Sequence, residues 1–418
     1  MKHVLFTLVG ALAVCFSAAA QEPTPESTEK SILLSPVVLQ IPSETSMGAV
    51  WQIAGPAAGF VEYSEKSDLS DAQKAWAAIP PLRSIEEEVL SVRIKNLKPN
   101  TTYYYRAGTI PVTYPNAYNI KTGKTQYSPV SHFTTMGEKA SSSFAVINDT
   151  HQNRKTFDAL CKKLNELNDA VLIWNGDTGE SKDVASAAEY LLNPSDEPYA
   201  VSRPILFVNG NHDFRGYGAR KIDQVMIKRN WEERDSQFWA LGRNFALRQG
   251  DIALIGMDTG EDKPDAHPVF QGLAEFEPYR KLETQWLKET LERPEIKSAP
   301  YIVLFCHIPL FDKNAGANPG DQMTGYALWQ RPCAQMWAPL LKEHNVQTVI
   351  CGHMHEFRVD RPDSKRPWTQ IVGGGHSPQS PTTIIEGKVE NGKLVVRVHN
   401  AYTNQIIQQL EFEPRSVK

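Results

Sequence analysis

Ile350-Cys351-Gly352-His353-Met354-His355 ends an apolar run on two histidines, and four clusters upstream end other apolar runs in the same way. These are Asp149 with His151, Gly176-Asp177, Gly210-Asn211-His212-Asp213, and His307 within Cys306-His307-Ile308-Pro309. Any one of them is a common accident. Together they put carboxylates, imidazoles and an amide at the carboxyl ends of strands, where open α/β sheets gather their ligands. Such a donor set suits Zn, Mn or Fe better than Ca, which prefers oxygen alone.

In this order the clusters resemble the signature of the calcineurin-like metallophosphoesterases: Asp-x-His, Gly-Asp, Gly-Asn-His-Asp/Glu, a separate His, then Gly-His-x-His. The match runs roughly over residues 143–376. The resemblance implies two divalent metal ions (Mn, Zn or Fe) as cofactors. Asp149, His151 and His355 would hold one, Asn211, His307 and His353 the other, and Asp177 would bridge both. It also implies that His212 protonates the leaving alkoxide or stabilises the phosphoryl oxygens, with Asp213 orienting its ring. Between ions about 3.5–4 Å apart, a shared water loses a proton near neutral pH and attacks phosphorus in line, so no Ser or Cys nucleophile is needed.

The apolar runs themselves give an α/β domain. Phe144–Ile147 reads as a strand, Phe157, Leu160, Cys161 and Leu164 fall at helical spacing, and 170–174 reads as a second strand. Strand, helix, strand implies a crossover and a largely parallel sheet. Further strands are expected at 205–208, 252–257, 301–306 and 346–351. Glu390-Asn391-Gly392 between apolar runs signals a hairpin. The resemblance implies the two-sheet αββα metallophosphoesterase sandwich, with the β-rich stretch after Trp368 completing its second sheet.

Ahead of it, short alternating runs at 49–53, 60–63, 89–94 and 101–106 read as a small all-β sandwich. Leu97 to Arg106 is similar to the fibronectin III-like module that precedes the catalytic domain of purple acid phosphatases, and its tyrosines are expected to pack the core. The expected organisation is a signal peptide over 1–20, a fibronectin III-like β-sandwich over 32–136, and the catalytic domain over 141–412. The purple enzymes lack the first His and carry a metal-binding Tyr three positions after the bridging Asp. Here those positions are His151 and Glu180, so the Fe(III)-phenolate centre is not expected.

Lys2, an apolar stretch from Val4 to Phe16 and Ala18-Ala19-Ala20 make up the three parts of a secretory signal, which predicts export to the periplasm or medium. The stretch is too short to span a bilayer, and no later segment is a transmembrane candidate. With 44 Lys and Arg against 48 Asp and Glu, a net charge of −4 offers no nucleic-acid-binding signal. Any attraction for a small phosphorylated substrate has to be local. Beyond the signal, four cysteines remain, and Cys306 and Cys351 read as small buried hydrophobes that a disulfide would join only if their strands are neighbours.

Specificity is expected in the loops. Arg154 is a phosphate clamp or a solvated helix-start Arg; Arg215, His267 and His376 are rim candidates. The stretch 309–337 is read as a long loop whose Tyr326, Trp329 and Trp337 either stack a base or pack the loop onto the domain. The chain is therefore read as an exported dinuclear hydrolase of phosphate mono- or diesters. A non-catalytic surface or periplasmic binding protein with a vestigial metal domain is the alternative, and it predicts missing ligands where this sequence has them all.

Overall fold

A computed structural model describes residues 31–227, 238, 241–312, 326–376, 381–403 and 405–416. The signal segment 1–20 lies outside the described residues.

Two sheets face each other. The first contains the parallel strands Ser143–Ile147, Leu172–Asn175 and Ile205–Val208, flanked on one side by the antiparallel strands Thr383–Glu390, Lys393–Asn400 and Ile406–Phe412. The second runs Phe245–Gln249, Ile252–Met257, Tyr301–Cys306, Thr348–Cys351, Thr369–Val372, Arg358–Asp360, parallel through its four central strands.

Alternation along each strand divides its side chains between two cores. Phe144, Val146, Ile173 and Leu206 meet Leu254, Val303, Phe305 and Ile350 between the sheets. Ala145, Ile147, Leu172 and Phe207 face outward under the helices Arg154–Leu167 and Val184–Leu192. On the far side Ile255, Ile302, Leu304 and Cys306 pack under the helices Phe276–Leu291 and Tyr326–Glu343. This is the αββα sandwich.

Two expectations change. The strands after Trp368 do not all complete one sheet. Thr369–Val372 joins the second, but Thr383–Glu390 pairs with the first, Ile385 opposite Val146. The glycines at 373–375 carry the chain from one sheet to the other. The expected 309–337 loop is also partly helix. Its Trp337 is fully buried in the core under Tyr326–Glu343 and donates from Nε1 to Thr284 Oγ1, so it cannot stack a substrate. The side chains of Tyr326 and Trp329 lie outside the described residues.

The amino-terminal strands form a sandwich around Trp51, Leu90, Val92, Tyr105 and Phe133, with Tyr103 and Tyr105 buried in its core. One of its sheets is continuous with the catalytic sheet, because Val38–Gln40 pairs in parallel with Ile205–Val208 through Gln40 and Ile205. No sequence pattern indicated this merger. Among the described residues no helix is long and apolar enough to cross a membrane.

Asp169, 4% exposed at the turn before the second strand of the first sheet, carries a pH-dependent cost. Burial, reinforced by the Glu386 carboxylate, pushes it up to about 8. The unfolded chain releases this proton near pH 3.9, so the fold holds an extra proton between about pH 4 and pH 8 and loses stability as pH rises through that window. Asp169→Asn is expected to stabilise the protein by on the order of 1–3 kcal/mol near pH 9 and to bring no gain near pH 4. Urea unfolding at the two pH values measures the difference.

Candidate metal centre

Each sheet brings the carboxyl ends of its parallel strands to one edge. Asp149, Asp177 and Asn211 follow three neighbouring strands of the first sheet, and His307 and His353 follow two neighbouring strands of the second. The backbone turns sharply there. Asp149, His151, Asp177, His353 and His355 all have left-handed φ, 51°, 45°, 52°, 71° and 51°. Such conformations cost about 1–3 kcal/mol each where a side chain is present. Local bonds hold them: Asp149 N–H donates to Gly176 O, His151 N–H to Asp177 O and His353 N–H to Asp149 Oδ2. Gly210 must stay bare, since a Cβ there would lie 2.2 Å from Asp177 Oδ1.

The seven expected ligands converge as two overlapping groups. Ligand atoms of Asp149, His151, Asp177 and His355 lie within 4.8 Å of one another, as do those of Asp177, His307 and His353. Asn211 joins the second group, its Oδ1 2.9 Å from His353 Nδ1. Asp177 belongs to both, with Oδ2 3.5 Å from His151 Nε2 and 3.2 Å from His307 Nε2.

The donor set fits divalent ions. His307 hydrogen-bonds through Nδ1 to the Asn175 carbonyl and leaves Nε2 buried without a hydrogen-bond partner, aimed at the carboxylates. That is how a ligating histidine is held, one nitrogen anchored and the other presented. His151 Nε2 and His355 Nε2 stand 3.0 Å apart, the separation of adjacent ligands about 2.1 Å from one metal.

The charges agree. Burial pushes the Asp177 and Asp149 carboxyls up, but the facing imidazoles, His307 foremost, outweigh it and hold both below the usual carboxylate range. Burial likewise depresses His307, yet Asp177 and Asp149 bring it up to about 10. Burial dominates at His151 and His353, which fall to about 4 and stay neutral, whereas His307 and His355, raised by the carboxylates they face, would each release a proton to a binding ion.

His212 stands at the rim, its ring edge-on to His151 with centroids 4.7 Å apart. The carboxylate that orients it is not the expected one. Asp213 is buried beneath the loop, where it accepts from the backbone N–H groups of Gly210, Asp177 and Thr178 and from the Thr178 hydroxyl. Those four bonds use its acceptor capacity to brace two ligand loops against each other. His212 Nδ1 instead donates to Glu180 Oε1 at 2.6 Å. The signal for this was the position of Glu180, three residues past Asp177; its role required the turn that brings it back.

Of the rim candidates, Arg215 reaches the site. Its Nη1 lies 3.1 Å from His212 Nε2, while Nε and Nη2 bind Glu261 at 2.9 and 2.8 Å and Nη2 reaches Asp262 at 3.2 Å. Glu261, Asp262 and Lys263 form a charged network that the sequence reading missed. Arg154 turns to Asp196 and the Asn193 carbonyl on the surface. His267 caps a short 3-10 turn, accepting from Val269 N–H. His376 lies against His151 and His355. Cys306 and Cys351 sit side by side behind the ligands as free thiols, their sulfurs 3.6 Å apart.

Comparison with known proteins bears on the family and the fold. The calcineurin-like phosphoesterase family profile matches residues 142–357, and the purple acid phosphatase N-terminal domain profile matches 35–135. Purple acid phosphatase 21 of Arabidopsis thaliana is 24% identical over 328 residues, covering 74% of this chain and 65% of the relative. Purple acid phosphatase 22 of the same plant is 23% identical over 267 residues, covering 64% and 52%. The chain thus spans about half to two thirds of the length of these relatives. Among solved structures, the purple acid phosphatase PPD1 from yellow lupin seeds superposes with a TM-score of 0.64 at 14% identity, over 90% of this chain and 74% of that one. PhoD superposes with a TM-score of 0.56 at 12% identity, over 92% of each. These two likenesses concern the fold.

Proposed function

We propose that this chain, which belongs to the calcineurin-like phosphoesterase family, is a dinuclear-metal hydrolase that cleaves small phosphate mono- or diesters. The observation that carries the reading is Asp177, a buried carboxylate within reach of both imidazole groups.

Asp149, His151, His355 and Asp177 would hold one ion, and Asn211, His307, His353 and Asp177 the other; the mixed oxygen and imidazole donors suit Zn, Mn or Fe. When bound, the ions polarise the phosphoryl oxygens and acidify the attacking water. The chain's own residues do the rest. Asp213 locks the Asp177 and Gly210 loops at fixed separation. Glu180 holds His212 Nδ1–H and so directs Nε2 toward the leaving oxygen, to which His212 gives a proton. Arg215 Nη1, free of the Glu261 pair, stands 3.1 Å from His212 Nε2; turning to a phosphoryl oxygen, it would release Nε2 for its role as acid. Arg154 is directed to Asp196 and the Asn193 carbonyl on the surface and is not assigned that task.

Catalysis is assigned to the unit over 141–412, and the sandwich over 32–136 braces it through the shared strand pair. The composition of residues 1–20 supports export to the periplasm or medium.

Purified, metal-reconstituted protein assayed on nitrophenyl phosphate and bis-nitrophenyl phosphate tests the function. Turnover of either is expected, with the ratio giving the ester preference. No hydrolysis of either by protein carrying two ions would overturn the enzyme reading in favour of a binding role.

A further inference from the structure

One imidazole at this site has no role in the ligand set described above. His376 follows Gly373-Gly374-Gly375 at the crossing between the sheets, and its ring centroid lies 4.7 Å from that of His151 and 5.1 Å from that of His355. A ring nitrogen of each of the three falls within 4.8 Å of the others; the carboxylates of Asp149 and Asp177 group with His151 and His355 but not with His376, so ligation requires its ring to swing toward them. The Nδ1 of His376 is buried without a well-formed hydrogen bond, and the ring's nearest backbone partner is that of the ligand Asp149. A buried imidazole nitrogen in that state needs a donor, a water or a cation.

The approach is built in. A Cβ at Gly374 would lie 1.7 Å from the Pro381 carbonyl oxygen, and one at Gly375 would lie 2.7 Å from His355 Cβ. The chain comes that close to the ligand loop because it has no side chains there. The segment is also tied down. Thr382 Oγ1 donates to the Gly375 carbonyl at 2.8 Å, and Gly374 N–H donates to Thr383 Oγ1 at 2.9 Å. Anchoring of Gly374 and Gly375 restricts where the next residue can place its imidazole.

We infer that His376 is a third imidazole ligand to the ion held by Asp149, His151, His355 and Asp177. This goes beyond the family-type ligand set while resting on the dinuclear reading. One site then has five protein ligands, three of them imidazoles; the other keeps four. The two ions are consequently unequal. The His376 site binds more tightly and favours Zn or Fe(II), which imidazole suits, over the oxygen-preferring Mn. The second site retains more open positions for a phosphoryl oxygen.

Stepwise zinc binding to the ion-free full chain, measured against a competing chelator, tests this in wild type, His376→Ala and His376→Gln. Both substitutions are expected to weaken one binding step by about tenfold or more and to leave the other unchanged. In the dicobalt wild-type protein, paramagnetically shifted imidazole signals should come from five rings: His151, His307, His353, His355 and His376. This count requires no variant, so a substitution that fails to fold leaves the test intact. Four shifted rings, or two unaltered binding steps with only a raised KM, would overturn the assignment in favour of a substrate contact. Wild-type protein that binds no ion at all would instead sink the dinuclear reading, a separate result.

Discussion

Asp177→Asn is expected to lower phosphoester hydrolysis on the order of 1,000-fold or more while leaving the fold intact. The substitution keeps size and shape. Oδ1 of Asp177 accepts from His212 N–H, so an asparagine retaining that bond must turn its NH2 toward the place of Oδ2, which faces His151 and His307. An amide nitrogen there does not ligate a metal, and its hydrogens point at the ligands. Both groups lose their shared member at once. The backbone bond from Asp177 N–H to Asp213 is untouched, so the loop itself should stand. Metal analysis of the folded variant is expected to show fewer than two bound ions, and a melting curve of the ion-free proteins checks that folding persists. Full occupancy with undiminished activity would remove Asp177 from its bridging role.

Much of this was readable along the chain because the ligands sit where strands stop. Apolar runs end on the polar residues, and strand direction then decides that Asp149, Asp177 and Asn211 share one edge with His307 and His353. Residue type alone set the chemistry. What sequence could not supply is the backbone sign at five ligands. Two histidines spaced like His353 and His355 would share one face of an ordinary strand. Left-handed φ at both allows His353 to meet Asn211 and His355 to meet His151. Asp and His are enriched among the non-glycine residues that adopt it, but that preference does not single out these positions.

Asp213 and Glu180 show a second limit. The resemblance implied that Asp213 serves His212, but a side chain next in sequence in a 3-10 turn points elsewhere, and the four N–H and O–H donors around it claimed its oxygens. The merger of the amino-terminal sheet with the catalytic sheet is equally silent, because Val38-Leu39-Gln40 is apolar enough for either partner. Trp337 takes the packing alternative, as core, but from a helix and not from the long loop read there. Pro332 and Pro339 stand inside the helix that forms there, where proline is ordinarily disfavoured.

The correction at Glu180 sets the second prediction. His212→Ala is expected to reduce turnover of alkyl phosphates by roughly 100- to 10,000-fold, the usual range for losing a general acid. On nitrophenyl esters the loss should be far smaller, because nitrophenolate departs without a proton. This contrast separates proton donation from simple phosphate binding, which would lower both alike. Glu180→Gln should reproduce the pattern in weaker form, about tenfold on alkyl esters. Glutamine still accepts from His212 Nδ1–H through its oxygen, but it no longer supplies the negative charge that stabilises an imidazolium. Glu180 is held below the usual carboxylate range: burial would raise it, and the bond from His212 outweighs that. It is therefore ionised in the neutral range. Since Glu180 acts through His212, the double variant should be no worse than His212→Ala alone. Asp213→Asn, by contrast, should act on both ester classes equally, because an amide in its place turns an NH2 toward the donors that now bind its oxygens and loosens the Asp177 and Gly210 loops together. Alkyl-to-nitrophenyl rate ratios for the three variants decide between the two carboxylates: a ratio changed by Asp213→Asn and unchanged by Glu180→Gln would return the orienting role to Asp213.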